Sequence, residues 1–204
     1  AAAVYERIIA NILGMNTRVL AAKMRNGELI DVYDRVKEKL GKHLVIVDKS
    51  KLSVKDISNL ITAANASVFD GKTDIVIIDY LQYMDGTHDF ESLSQTARDL
   101  KPLAKDNHVF VLCLSQLSRS GSPWERPTMK ELKGSGDIEA TGDFILMGYR
   151  PAENPKMNIA EREEKKDIVN LTIEKSRRGH VVREIEVIFV SEETRMRELA
   201  TRVA

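Results

Sequence analysis

The chain has 204 residues, 43% of them hydrophobic, and balances 31 Lys and Arg against 31 Asp and Glu. That length suits one α/β domain, the apolar fraction excludes wholesale disorder, and zero net charge excludes a basic coat that grips nucleic acid everywhere. Cys113 is the single cysteine, which excludes an intramolecular disulfide framework; no run reaches the roughly 18 apolar residues of a membrane span and no charged-then-apolar leader opens the chain, so a reducing, cytoplasmic setting without membrane contact is expected.

The spacing of Val4, Ile8, Ile9, Ile12 and Leu13 predicts a first helix, which opens without an N-cap residue. Such a start is expected where a sequence begins inside a larger protein. Residues 17–24 and 28–40 read as two more helices, separated by Asn26-Gly27 and stopped by Gly41. The apolar run 43–47 (HLVIV), closed by Asp48, predicts a buried strand. Residues 53–66 predict a helix with Ser53 as N-cap and Asp56 at its third position, a variant of the capping box. Asp70-Gly71 turns the chain into a second buried strand at 75–78. A polar stretch at 85–89 precedes a long amphipathic helix over 90–106, and 109–114 forms a third buried strand. These strand runs are continuously apolar and separated by helices, which predicts a parallel sheet covered on both faces.

Beyond residue 115 the composition changes. Residues 115–136 are rich in Gly, Ser and Pro and hold Trp124, and 144–149 predict another strand. Residues 151–166 read as a charged surface loop or short helix; 168–174 and 181–190 flank Arg177-Arg178-Gly179-His180 as a β-hairpin. No repeat or long linker divides the chain, so residues 1–204 are expected to form one domain.

Gly71-Lys72-Thr73 has the ending of a phosphate-binding P-loop, but Ala66 stands where that motif needs its first glycine. The order helix, turn, strand is also the reverse of what aims a helix N-terminus at phosphate. An Asp-Gly turn with a surface lysine is the better reading. Asp79 is different, because four β-branched residues (75–78) deliver it to the C-terminal end of a buried strand, the edge where open α/β sheets bind ligands. A carboxylate there suits the water shell of Mg²⁺, although a strand-ending Asp also serves as a plain turn residue. Gln116 ends the next strand run and would lie beside Asp79 if the two strands are neighbours; its amide suits sensing of a γ-phosphate or attacking water, against the alternative that Ser115-Gln116 merely begins a loop. At the hairpin tip Lys175, Arg177, Arg178, His180 and Arg183 crowd together with no acid before Glu184. Such a run is either a solvated face or a turn that inserts an arginine into a neighbouring subunit's phosphate site.

Taken together, these residues resemble the C-terminal motor domain of DnaB-type replicative helicases, within the RecA-like P-loop ATPases. The matching segments are IVIIDYLQYM (75–84), VLCLSQLSRS (111–120), RPTMKELKGSGDIEATGD (126–143), IEKSRRG (173–179) and, more weakly, MRNGEL (24–29). They run in order over about residues 4–190, and five such segments with sensible spacing are specific where each alone is weak. The resemblance implies a RecA-like α/β core, mainly a parallel sheet flanked by helices and ending in an antiparallel β-hairpin. It implies that Asp79 is the Walker B aspartate that positions Mg²⁺ and that Gln116 couples the γ-phosphate to the DNA-binding loops. Lys175 and Arg177 match the lysine-x-arginine pair that reaches the adjacent subunit's ATP, with Arg177 as the arginine finger. The 85–90 loop matches the first channel loop for DNA, and Lys133, Gly134, Ser135 and Gly136 match the second. A lysine plus exposed glycine N–H groups grips phosphate without reading bases, as a translocating motor requires.

Departures from the family pattern are expected to mark a divergent member, of the kind a phage carries. Lys133-Gly134-Ser135-Gly136 replaces the usual arginine-glutamate-serine-glycine, Thr141-Gly142-Asp143 replaces aspartate-alanine-aspartate, and the first channel loop is short and acidic. The P-loop and the catalytic glutamate are expected upstream of residue 1, leaving this segment half of an ATP site. The implied whole is an ATP-dependent DNA helicase: ATP and Mg²⁺ as cofactors, single-stranded DNA as partner, a homo-oligomer in the form of a hexameric ring, and primase and a helicase loader as further partners. A RecA-like recombination or repair ATPase and a non-catalytic DNA- or protein-binding module of the same fold are the alternatives.

Overall fold

The computed structural model describes residues 2–84, 86, 89–118, 126–132, 135–177, 179, 184–191, 193 and 195–199. Three helices, α1 (Ala2–Ile12), α2 (Thr17–Arg25) and α3 (Ile30–Gly41), open the chain. They close on their own small core, in which Ile9, Ala10 and Leu20 are buried against Leu13, Met24, Tyr33 and Val36. Asn16 caps α2 by accepting from the Arg18 N–H at 2.7 Å. Helix α3 starts two residues later than the periodicity predicts, because Leu29 adopts a left-handed φ of 61°. The expected strand at 43–47 does not form. Among the described residues the segment pairs with no strand, Val45 and Val47 are exposed, and strand hydrogen bonds require a neighbouring edge. Its contact is instead with α1, where the Tyr5 hydroxyl donates to Leu44 O at 3.1 Å.

Helix α4 (Val54–Ser67) begins on the predicted capping box: Ser53 Oγ accepts from the Asp56 N–H while the Asp56 carboxylate accepts from the Ser53 N–H. Strand β1 (Ile75–Ile78), helix α5 (Phe90–Asp106) and strand β2 (Phe110–Cys113) follow. The strands pair in parallel, with Ile75 opposite Phe110 and Ile78 opposite Cys113. Alternation decides what is buried. Ile78, with Val76, Val111 and Cys113, packs on Ile57 and Ile61 of α4 and Leu93, Ala97 and Leu100 of α5. The opposite face is open: Ile77 is 64% and Phe110 61% exposed. The described residues therefore cover this sheet on one face, not on both as the continuous apolar runs predict.

The second half contains α6 (Ser135–Thr141), β3 (Phe144–Tyr149), α7 (Ile159–Lys165), β4 (Ile168–Ser176), β5 (Ile185–Val190) and β6 (Arg195–Glu198). The four strands form an antiparallel sheet in the order β3-β4-β5-β6. β4 and β5 pair antiparallel as predicted, over 168–171 and 185–188, while 181–183 of the expected second strand lie outside the described residues; α6 and β6 are additions. Ile145 and Met147 of β3 are buried with Leu132, and Ile138 of α6 packs against both this cluster and the one under β1 and β2. Phe144 and Leu146, on the other face of β3, are exposed like Ile77 and Phe110.

Candidate functional site

The C-terminal edge of the parallel pair is the first part of the site. Backbone bonds continue past the strands, from Leu114 N to Ile78 O at 2.9 Å and from Leu81 N to Leu114 O at 2.8 Å. That pairing sets Asp79 and Ser115-Gln116 on one edge, as neighbouring strands require, and both Asp79 and Gln116 are exposed. The Asp79–Tyr80 peptide is cis. Gln82, which sequence reasoning assigned no role, ties the edge together. Its Nε2 donates to Ser115 Oγ at 2.9 Å, and its Oε1 accepts from the Gln116 N–H at 3.1 Å. The only prior signal was its membership of the matching segment 75–84.

Among the described residues no group of three or more His, Cys, Asp or Glu side chains is placed to hold a metal ion. A lone exposed carboxylate fits Mg²⁺ of the kind that keeps several waters and takes its other ligands from phosphate, and does not fit an all-protein cage. Gly71-Lys72-Thr73 behaves as a turn. Asp70 and Gly71 have φ of 48° and 99°, Lys72 pairs with Asp74 at 2.9 Å, and Thr73 Oγ1 donates to Asn65 Oδ1 at 2.6 Å.

The second part lies where β4 ends beside α6. Lys175 Nζ donates to Glu139 O, and Arg177 Nη2 donates to Ala140 O at 2.5 Å, both carbonyls in the last turn of α6. Cations at a helix C-terminus meet unpaired carbonyls and the negative end of the helix dipole. Arg177 Nε also lies 3.2 Å from Asp143 Oδ1, which accepts from Lys101 Nζ at 2.7 Å. The Lys101 hydrogen bond holds the Asp143 carboxyl below its ordinary range; burial opposes it, and the charges of Lys101, Arg177 and Lys175 reinforce it. Arg98, Lys101, Lys105 and Arg177 line a cavity of about 550 Å³ together with Asp106 and Asp137.

Among the described residues no hydrogen bond or ion pair joins Asp79 or Gln116 to Lys175 or Arg177. Lys133 and Gly134 lie outside the described residues, as do Arg178, His180, Arg183 and positions 85, 87 and 88 of the first channel loop, and the Ser135 side chain. Gly136 is exposed in the first turn of α6.

A family model described as a DnaB-like helicase C terminal domain matches residues 2–198. Similar curated proteins include a probable replicative DNA helicase of Trieres chinensis, 32% identical over 191 residues, spanning 86% of this chain and 40% of that protein. The replicative DNA helicase DnaB of Pasteurella multocida (strain Pm70) is 31% identical over 208 residues, spanning 96% of this chain and 43% of that protein. The chain thus spans about two fifths of the length of these relatives. Among solved structures, a DnaB-like replicative helicase studied for its interactions with primase superposes with a TM-score of 0.78 at 29% identity, covering 96% of this chain and 47% of the other. An ATPase domain superposes with a TM-score of 0.79 at 29% identity, covering 96% and 69%.

Proposed function

The chain belongs to the DnaB-like helicase C-terminal domain family, and on that premise we propose that it is the motor domain of a ring-shaped, ATP-driven replicative DNA helicase. Its fold is the α/β, RecA-like one of the family's ATPase domains. The observation that carries the proposal is the pairing of β1 with β2, which sets Asp79 and Gln116 on one C-terminal edge of a parallel sheet, the kind of edge where open α/β sheets bind ligands.

In this reading Asp79 holds the water shell of Mg²⁺ bound to ATP, and Gln116 registers the γ-phosphate. Lys175 and Arg177 serve the neighbouring subunit's ATP, which agrees with their lack of contact with Asp79 in their own chain. ATP bound with Mg²⁺ supplies the free energy that moves the channel loops, while the protein's groups position charge and water. Single-stranded DNA passes the 85–90 and 133–136 loops, and a hexameric ring, a primase and a loader are its partners in the cytoplasm. No described helix is long and apolar enough to cross a membrane. The P-loop and catalytic glutamate come from residues upstream of this segment. Among the described residues the open apolar face of β1 and β2, with Ile77 and Phe110 exposed, and the sheet edges at β2 and β3 that pair with no strand support a further strand and helix there.

The test is Arg177→Ala in the full-length protein. Turnover should be abolished, on the order of 10³-fold or more, with nucleotide affinity much less affected. Wild-type-like ATPase in that variant would sink the arginine-finger role. Release of the paired strand from forked DNA separates a helicase from a recombination ATPase, and absence of any ATPase from the full-length wild type would favour a binding module.

A further inference from the structure

Arg177 is fixed beside α6 by three contacts. Its backbone N–H donates to Asp143 O at 3.0 Å, its Nη2 donates to Ala140 O at 2.5 Å, and its Nε lies 3.2 Å from Asp143 Oδ1. The same Oδ1 accepts from Lys101 Nζ at 2.7 Å, and Lys101 Nζ reaches Thr141 O at 3.4 Å. Lys101 stands on α5 and Asp143 on the link between α6 and β3, so the arginine is braced by two separate elements.

A guanidinium is planar, and anchoring two of its three nitrogens orients the whole group while leaving other donors uncommitted. Arg177 lines the open cavity beside α5 and α6. The pairs are half exposed, with side-chain exposures of 43% for Lys101, 65% for Asp143 and 47% for Arg177, so they add little to fold stability. What they supply is orientation. A long arginine free in solvent loses rotamer freedom each time it engages a phosphate, and one held in advance does not.

Building on the reading of Arg177 as a finger, we propose that Asp143, itself held by Lys101, is a positioning residue that presents the Arg177 guanidinium to the neighbouring subunit's nucleotide. Asp143 touches no substrate; it acts through Arg177.

The experiment uses the full-length protein and measures DNA-stimulated ATP turnover across ATP concentrations. Asp143→Asn keeps the size of the side chain and removes its charge. It should lower kcat about tenfold while the KM for ATP stays within about twofold, the pattern of an interaction lost in the transition state. Lys101→Met should lower kcat in the same direction, and Lys101→Arg should restore it, because arginine still pairs with the carboxylate. Melting temperatures should stay within a few degrees of wild type, because the half-exposed pairs add little to stability, so that the fall in kcat reads as lost orientation and not as lost fold. Unchanged kcat in Asp143→Asn, beside an inactive Arg177→Ala, would overturn the positioning role and leave the finger standing. Activity in Arg177→Ala would overturn the finger reading itself. Where Asp143→Asn fails to fold, the lysine pair decides, and equal kcat for Lys101→Met and Lys101→Arg would overturn the proposal.

Discussion

Gln82 uses both ends of one amide to fasten Ser115 and Gln116 to the loop after β1. Its truncation to alanine removes both bonds from a half-buried site, at a cost of about 1 kcal/mol or slightly more. Urea unfolding of Gln82→Ala checks this, and an unchanged midpoint contradicts it. Asp79 and Gln116 were legible as strand-ending polar residues, but Gln82 was not, because its partners exist only once β1 and β2 pair. Titration adds a second residue-scale expectation. Hydrogen bonds from Ser53 hold the Asp56 carboxyl below its ordinary value, those from Thr128 do the same for Glu131, and Lys101 does so for Asp143. A folded pKa below the unfolded one gives stability that is complete above the unfolded value, about 4, and is lost as pH falls through the folded value. Melting temperature should therefore fall as pH is lowered through and below the ordinary carboxylate value of about 4. Asp56→Asn should flatten that fall, and an identical pH profile contradicts the linkage. Burial pushes the Cys113 thiol up to about 12, so it should resist thiol reagents at pH 8 until the chain unfolds.

Among elements, those with a local code were readable. The Ser53–Asp56 box starts α4 as its spacing requires, α5 spans the predicted residues, and β4 pairs with β5 as two successive apolar runs do. Elements decided by their neighbours were not. The 43–47 run has strand composition but no paired edge, and β6 (RMRE) forms by pairing with β5 with no apolar alternation of its own. Helix α6 has seven residues and a Gly-containing start, too short for periodicity to register. The described residues cover only one of the two faces expected to be covered in the parallel sheet, since Ile75, Ile77, Phe110 and Leu112 are apolar and exposed. If upstream residues cover that face in the full-length protein, Ile77→Lys should cost on the order of 2 kcal/mol or more there. In the 204-residue chain, where Ile77 is 64% exposed, the same change should stay within about 0.5 kcal/mol. Equal effects in both, read from denaturant unfolding, would contradict the coverage.

For the whole molecule, zero net charge excluded a basic coat and left room for local concentration of charge, which the structure places at Lys175, Arg177 and Lys101 around the end of α6. In the proposed reading Asp79 and Gln116 serve one subunit's nucleotide and Lys175 and Arg177 the neighbour's, so that a complete site takes two copies of the chain. Mixing full-length Asp79→Asn and Arg177→Ala subunits tests this most directly. Each variant alone lacks one half of every site. A mixed ring contains interfaces where an intact Asp79 on one subunit faces an intact Arg177 on the next, so ATP turnover should reappear on mixing, at up to about a quarter of wild type by random assembly. A mixture as inactive as its two components would show that both groups serve the same chain's nucleotide, and would contradict the shared site.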